Sequence, residues 1–196
     1  MTRRLVLTTL VALTVAASGC ASRDTPAAQP TSSAPTTANA SAVPASSERV
    51  PDSADTRQSA AAAGSELVPT GVRIGRHNGF DRVVYDLSGP GAPGWWVGYV
   101  ARATSDGKGD VVPVDGVSIL QVMIRGCTYP EPGQKTVAKG PITEPTAQVI
   151  TQVWPVSIFE GDHQSFIGAR SAKPAFAVSV LKNPTRLVVD IANTAS

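Results

Sequence analysis

From about Glu66 onward, apolar and polar residues alternate in short runs that glycine, proline and Asn-Gly signals separate. Alternation with a period of two is typical of β-strands, and no window of ten or more residues shows the 3.6-residue period of an amphipathic helix. We predict eight strands, at Thr70–Gly75, Phe80–Leu87, Trp95–Arg102, Val117–Arg125, Ala147–Phe159, Phe166–Ala169, Ala175–Leu181 and Arg186–Ala192. Asn78-Gly79 predicts a tight turn between the first two, because this pair adopts positive φ at little cost. Many short strands at this spacing indicate an all-β fold, a sandwich or a barrel.

Two of the predicted strands look like copies of each other. Arg82–Leu87 and Arg186–Ile191 both read arginine, three apolar residues, aspartate and a further apolar residue. In each copy the apolar side chains at alternate positions should face a core, while the arginine and the aspartate share the opposite face. The likeness suggests two related sheets packed together; chance similarity between two valine-rich strands is the alternative.

The start of the chain has the pattern of a bacterial export signal. Two arginines precede an uncharged run of 13 residues ending at Ala17, which is too short to span a roughly 30 Å hydrocarbon core as a helix. Ala17-Ser18-Gly19-Cys20 then resembles a lipobox, in which bacteria attach diacylglycerol to the cysteine. We predict a lipoprotein signal peptide over residues 1–19 and a lipid on Cys20, holding the protein at the outer face of the cell membrane. A secretory signal with a chance cysteine is the alternative, and both general secretory and twin-arginine export remain open.

A linker of unusual composition follows this signal. Between residues 21 and 65, 32 of 45 residues are Ala, Ser, Thr or Pro. Such a segment has too little apolar surface to offset the entropy of ordering it, so we predict a disordered tether over residues 20–65 and a folded domain over residues 66–196. The same composition suits O-glycosylation, which the sequence alone leaves open.

The charge balance excludes one class of partner. Removal of the two signal-peptide arginines from the 17 basic residues leaves 15, which matches the 15 acidic residues. A neutral mature chain gives no electrostatic basis for binding nucleic acid, so we expect no nucleic-acid partner.

The chain is poor in the patterns that metal or nucleophilic chemistry requires. A catalytic zinc needs three protein ligands, and the only two histidines, His77 and His163, lie 86 residues apart without a paired glutamate. We interpret His77 as a turn residue and His163 as a solvated loop residue. There is no Gly-x-Ser-x-Gly elbow. Once Cys20 is lipidated Cys127 has no disulfide partner, so we expect it to be buried at a strand end, with a reactive thiol as the alternative.

The acidic residues of the predicted strands and turns raise one catalytic hypothesis, glycoside hydrolysis. Glycoside hydrolysis needs two carboxylates that face one cleft, and sequence cannot show such a pair. We interpret Asp86 and Asp190 as partners of arginines on the outer sheet faces and Glu160-Gly161-Asp162 as a polar turn. We therefore expect no catalytic residues, no metal and no cofactor.

The adjacent tryptophans Trp95 and Trp96 are the strongest candidates for binding. Neighbours on a strand point to opposite faces, so one indole should enter the core and the other should be exposed or lie under a loop. An exposed indole can stack on a sugar ring. Our hypothesis is a binding face for a wall polymer or a protein that combines one tryptophan with nearby polar residues, the candidate set being Trp95, Trp96, His77, Asp81, Arg82 and Glu160. The alternative is that the segment from Thr128 to Thr146 covers both indoles.

Five stretches of the sequence also carry a family resemblance. They resemble the AMIN-like domain of actinobacterial lipoproteins, which is related to the AMIN domain found beside N-acetylmuramoyl-L-alanine amidases and in secretin-type proteins. The matching stretches are His77–Leu87, Pro93-Gly94-Trp95, Tyr99-Val100, Phe159-Glu160-Gly161 and Pro184–Asp190. The resemblance covers about residues 66–196 and implies a β-sandwich of two sheets that places proteins at the cell wall. A second tryptophan at position 96 and Cys127 depart from the family pattern.

Together these observations favour a non-catalytic binding domain held in the cell envelope. Its expected partners are the lipid bilayer, through acylated Cys20, and a cell-wall component such as peptidoglycan. A module that recruits a wall enzyme or a secretion component is the first alternative, and a hydrolase with scattered carboxylates is the second.

Overall fold

The computed structural model describes residues 49–193, which fold into nine β-strands. The strands are β1 (Arg57–Ser59), β2 (Val68–Arg76), β3 (Phe80–Ser88), β4 (Gly94–Val100), β5 (Ser118–Arg125), β6 (Ile150–Phe159), β7 (Asp162–Ala169), β8 (Phe176–Leu181) and β9 (Arg186–Ala192). Strands β2 to β9 are the eight predicted from alternation, with shifted ends. Residues 49–193 contain no helix that could cross a bilayer.

The strands form two antiparallel sheets that pack face to face. One sheet has the order β1-β4-β5-β7-β6 and the other the order β2-β3-β9-β8. Alternate residues of both sheets point inward and form one apolar core, in which Tyr85, Leu120, Ile167, Phe176 and Leu187 are fully buried. The prediction of an all-β, two-sheet sandwich is confirmed.

The two similar strands are neighbours in one sheet. β3 and β9 pair antiparallel, with Val83 opposite Val189 and Arg82 opposite Asp190. The interpretation of two related sheets packed together is therefore wrong, although the predicted apolar positions of both strands do face the core. Because the strands run antiparallel, the arginine of each copy comes to lie opposite the aspartate of the other.

The ordered structure begins before Glu66. β1 lies inside the segment predicted to be a disordered tether, and it pairs with β4 through Arg57 and Val97. A side chain on Gly94 would collide with the backbone nitrogen of Ala61, so the glycine lets this segment lie directly against β4. The prediction of disorder is thus corrected for residues 49–65, because backbone pairing orders a segment with few apolar side chains. The signal over residues 1–19, Cys20 and the rest of the tether lie outside the described residues.

Two long connections cover parts of the sandwich. Residues 101–117 cross the outer face of the five-stranded sheet, where Ala103 and Val112 pack with Phe166 in a second apolar cluster. Residues 128–146 close the side between β2 and β6: the Val137 N–H donates to the Pro69 carbonyl, and further along the segment Ile142 pairs with Val153. Each connection forms part of the wall of one groove on the domain surface.

Candidate functional site

Trp95 and Trp96 lie on opposite faces of β4, as predicted. Trp95 packs against the core between the sheets, whereas Trp96 is half-buried on the outer face with its ring over Gly98. The Thr128–Thr146 segment makes backbone hydrogen bonds with Leu67, Pro69 and Val153, which lie just before β2, on β2 and on the edge strand β6. β4 lies toward the opposite edge of the five-stranded sheet. Trp96 is therefore the tryptophan of this pair that a ligand could reach.

Asp81 joins the two sheets from inside the molecule. It is fully buried, and its Oδ2 accepts three backbone N–H donors, from Gln148 at 2.8 Å, Val149 at 2.7 Å and Ile150 at 3.0 Å. β3 thereby anchors the start of β6 in the other sheet. The geometry gives Asp81 a structural function.

Arg82 and His77 lie near the turn between β2 and β3. The Arg82 guanidinium makes a bidentate ion pair with Asp190, with N–O distances of 2.6 and 2.8 Å. His77 stacks flat on Phe80 with ring centroids 4.8 Å apart, and the Arg82 guanidinium carbon lies 5.3 Å from the same ring's centroid. The expected pairing of Asp190 with an outer-face arginine is thus present, and Asp86 pairs likewise with Arg73 at 2.9 Å.

Glu160 lies in the tight turn that joins β6 to β7. Glu160 and Gly161 both have positive φ, at 48° and 86°, which is the backbone of a type I′ turn. The side chain is exposed. The predicted polar turn over Glu160-Gly161-Asp162 is present.

These six candidate residues do not converge on one surface. Asp81 bonds to the first residue of β6, Ile150, whereas Glu160 follows the last residue, Phe159. Trp96 lies on the outer face of the five-stranded sheet, whereas Asp81 is buried between the sheets and Arg82 lies on the four-stranded sheet. The structure therefore does not combine a tryptophan with Asp81 or Arg82 on one surface, while a shared face of a tryptophan and Glu160 stays a prediction.

Cys127 and His163 are both buried. Burial raises the pKa of the Cys127 thiol to about 12, and its sulfur lies 3.2 Å from the Ile124 carbonyl oxygen, so the expectation of a buried, unreactive cysteine is supported. His163 lies on β7 and is 5% exposed, which corrects its interpretation as a solvated loop residue. Burial lowers the pKa of His163 to about 4, so its ring is neutral near pH 7.

The outer face of β6 forms an open groove with the 101–117 connection, and we call it the Trp154 groove. Its volume is about 760 Å³, and its lining includes Trp154, Phe159, Val111, Asp106, Lys108 and Asp110. Trp154 is half-buried, Phe159 is 40% exposed and Val111 is 62% exposed, so apolar surface faces solvent here. The charged residues lie on the loop opposite the aromatic rings.

Gln164 fixes the loop that carries those charges. Its side chain is buried, accepts the Asp106 N–H at 3.0 Å and donates to the Thr104 carbonyl at 3.0 Å. Gly107, with a φ of 80°, lets the loop turn directly over Phe159, since a side chain there would contact the ring at 3.0 Å. The groove is therefore held in shape before any ligand arrives.

Sequence reasoning missed the Trp154 groove. Alternation predicts a strand through Trp154 but indicates no function for it, and the glycine-rich segment around Lys108 has no predicted element. One signal was available, because period two places Trp154 and Val156 on one face of β6. The loop that completes the groove could not be assigned to that face from local pattern.

Among residues 49–193 no group of three or more His, Cys, Asp or Glu side chains could hold a metal ion.

Comparison with protein families matches the chain to the AMIN-like domain over residues 67–193. No curated protein and no solved structure matched the chain. The matched range contains strands β2 to β9 and covers more than half of the 196 residues. The chain therefore belongs to the AMIN-like domain family.

Proposed function

We propose that this protein is a membrane-anchored lipoprotein of the cell envelope whose AMIN-like domain binds a peptidoglycan glycan without catalysing a reaction. The observation that carries the proposal is the Trp154 groove, where exposed Phe159 and half-buried Trp154 face an ordered polar loop. Membership of the AMIN-like family supports a wall-associated role. The lipobox at Cys20 and the tether that follows it support anchoring at the membrane surface.

The groove has the chemical composition that sugar recognition requires. A sugar ring has an apolar face, which stacks on an aromatic side chain, and hydroxyl groups on its rim, which need hydrogen-bond partners. Phe159 and Trp154 provide the apolar surface, while the carboxylates of Asp106 and Asp110 accept hydrogen bonds from hydroxyls. Lys108 provides a donor. Because Gln164 orders the loop beforehand, little conformational entropy is lost on binding.

Trp96 extends the proposed binding face. It lies on the same outer face of the five-stranded sheet as Trp154, and two strands separate β4 from β6. At the usual strand spacing the two strands are roughly 14 Å apart. A polymer could therefore contact both aromatic positions, which a single sugar could not.

The proposal is tested by sedimentation of the full-length protein, purified in mild detergent, with insoluble purified peptidoglycan. We expect Phe159→Ala and Asp110→Ala each to weaken binding by about tenfold, as loss of a central contact typically does. Trp96→Ala should give a smaller decrease. Tyr129→Ala is the matched control, because Tyr129 is an exposed aromatic outside the groove, at 64% exposure.

Each variant is first shown to keep the thermal unfolding midpoint within a few degrees of wild type. Equal sedimentation of wild type, Phe159→Ala and Asp110→Ala would overturn the assignment of the groove. Absence of wild-type sedimentation would overturn the glycan-binding function itself.

A further inference from the structure

A second groove lies on the other side of β6, and we call it the Lys139 groove. It has a volume of about 230 Å³ and runs between the edges of the two sheets, with Pro69 of β2 on one side and Pro155 and Ile158 of β6 on the other. Val137 and Lys139 form its outer wall. Since a cavity of roughly 150 Å³ can hold a benzene ring, this groove can take one or two aliphatic side chains.

The groove opens where the segment that pairs with the outer edge of β6 departs from that edge. Ile142 exchanges two backbone hydrogen bonds with Val153, both at 2.8 Å, so an extended segment already pairs with this edge. Continued antiparallel pairing would bring residue 140 opposite Pro155 and residue 138 opposite Ser157. The chain departs instead, and the Val137 N–H bonds to the Pro69 carbonyl of the other sheet at 3.2 Å. The last residues of β6 are left without an edge partner among residues 49–193.

The β6 edge is also irregular at this point. A bulge between Pro155 and Ile158 places Val156 and Ser157 opposite the single residue Gln164. A bulge disrupts the regular ladder and leaves backbone groups outside it. Val156 and Ser157 line the groove, so an occupant meets backbone polar groups as well as apolar walls.

Two of the polar residues that line this mostly apolar groove, Lys139 and His163, bear on what it could bind. Lys139 is the charged residue of its lining, and it is exposed. His163 also lines the groove; it is 5% exposed, and its Nε2 has no hydrogen-bond partner in the described part of the chain. A buried ring nitrogen without a partner costs free energy, which a ligand with its own donors and acceptors can recover.

We propose that the Lys139 groove binds an extended peptide segment of a partner protein, which places an aliphatic side chain between the sheets and a carboxylate against Lys139. The segment continues the pairing that Ile142 begins at the β6 edge. Main-chain hydrogen bonds supply affinity in such strand addition, and the side-chain pocket supplies specificity. The single lysine selects acidic over basic peptides by charge complementarity.

The test starts from a display library of random heptapeptides selected on the full-length protein. We expect the enriched sequences to place an aliphatic residue near Asp or Glu. Selection on the Lys139→Glu variant should replace the acidic residues with Lys or Arg, since the charge at the rim is reversed. Enrichment of the same sequences by both proteins, or of no common pattern, would contradict the proposal.

A second measurement locates the binding of a synthetic copy of the most enriched peptide. Ala138→Trp should fill the groove from its exposed wall and lower affinity by about tenfold or more. Ala172→Trp, at an exposed alanine that does not line the groove, is the matched control and should bind as wild type does. Equal affinity of the two variants would refute the location.

The proposals for the peptide site and for the glycan site can be refuted independently of each other. Ala138→Trp and Lys139→Glu should sediment with peptidoglycan as wild type does, and Phe159→Ala should keep its affinity for the peptide. If Ala138→Trp loses sedimentation instead, the Lys139 groove binds the wall polymer and the peptide proposal is wrong.

Discussion

Asp81 and His163 show how differently two buried polar residues can be accommodated in one sandwich. The Oδ2 of Asp81 accepts three backbone N–H groups, which offsets part of the cost of burying the carboxyl group, while its Oδ1 has no hydrogen-bond partner among the described residues. His163 lies among apolar neighbours and stays neutral, because burial lowers its pKa. The first residue therefore stabilises the fold through hydrogen bonds, while the second makes stability depend on pH.

We predict that Asp81→Ala lowers the free energy of unfolding by about 3 kcal/mol or more, because three backbone donors at the start of β6 lose their charged acceptor. Asp81→Asn should cost less, since an amide oxygen can still accept. Urea unfolding of the full-length protein measures both. Asp86→Ala is the control: its pair with Arg73 is largely exposed and should contribute no more than about 1 kcal/mol. An equal effect of Asp81→Ala and Asp86→Ala would show that Asp81 does not join the sheets.

We predict that stability falls on acidification because of His163. Below its ordinary pKa of 6.5 the unfolded chain binds a proton that the folded chain does not bind until about pH 4. The free energy of unfolding should therefore fall as the pH drops from 6.5 to 4, by about 3 kcal/mol for a shift of this size. Urea unfolding at pH 7 and at pH 4.5 measures the fall, and His163→Leu should make it smaller. An unchanged pH dependence in His163→Leu would assign the effect to carboxylates.

β6 is the element around which the candidate sites are arranged. Its outer face contributes Trp154 to one groove, and its edge at Pro155 borders the other. Val156 and Ser157, the bulged residues, line both grooves. Asp81 fixes one end of this strand and the turn at Glu160 fixes the other, so the geometry of both sites depends on how β6 is held.

We predict that Glu160→Asn stabilises the protein by about 0.5–1 kcal/mol. Glu160 has a φ of 48°, which a glutamate adopts at a cost and an asparagine adopts more readily in a type I′ turn. The thermal midpoint should rise accordingly. If Glu160 binds the wall polymer, as the sequence allowed, sedimentation with peptidoglycan should weaken in this variant; we expect it to stay unchanged. A fall in the thermal midpoint would mean that an interaction of the Glu160 carboxylate stabilises the protein by more than removing the unfavourable backbone φ of Glu160 does.

The whole molecule combines a proposed lipid anchor, a proposed tether and a sandwich whose grooves flank one strand. A diacylated cysteine gives stable membrane attachment, which a single acyl chain does not. If the residues between Cys20 and Arg49 form a coil, as we propose, they would reach on the order of 30 Å. This arrangement would allow one domain to contact the wall polymer and a partner protein while it stays attached to the membrane.

We predict that Cys20→Ala releases the protein from the membrane fraction, because the lipid is the proposed anchor. Fractionation of cells that express the full-length chain measures this directly. Cys127→Ala is the control, since Cys127 is buried and its loss should leave the protein in the membrane fraction. Retention of Cys20→Ala in the membrane to the same extent as wild type would show that something other than the lipid holds it there.

The sequence by itself determined the strands and the direction of their side chains. Period-two alternation is a local signal, so it located β2 to β9, placed Trp95 and Trp96 on opposite faces and identified the turn at Gly79. Composition likewise predicted that Cys127 is buried. These features depend on residues that are close in the chain.

The tertiary structure alone decided which strands became neighbours and which segments covered the sheets. It paired β3 with β9, added β1 to the edge beside β4, buried His163 and placed Asp81 against the start of β6. It also laid the 101–117 loop over Trp154. Each of these contacts joins distant parts of the chain, and the hydrophobic pattern that specifies a strand does not specify its partner, because backbone hydrogen bonds are the same in every strand.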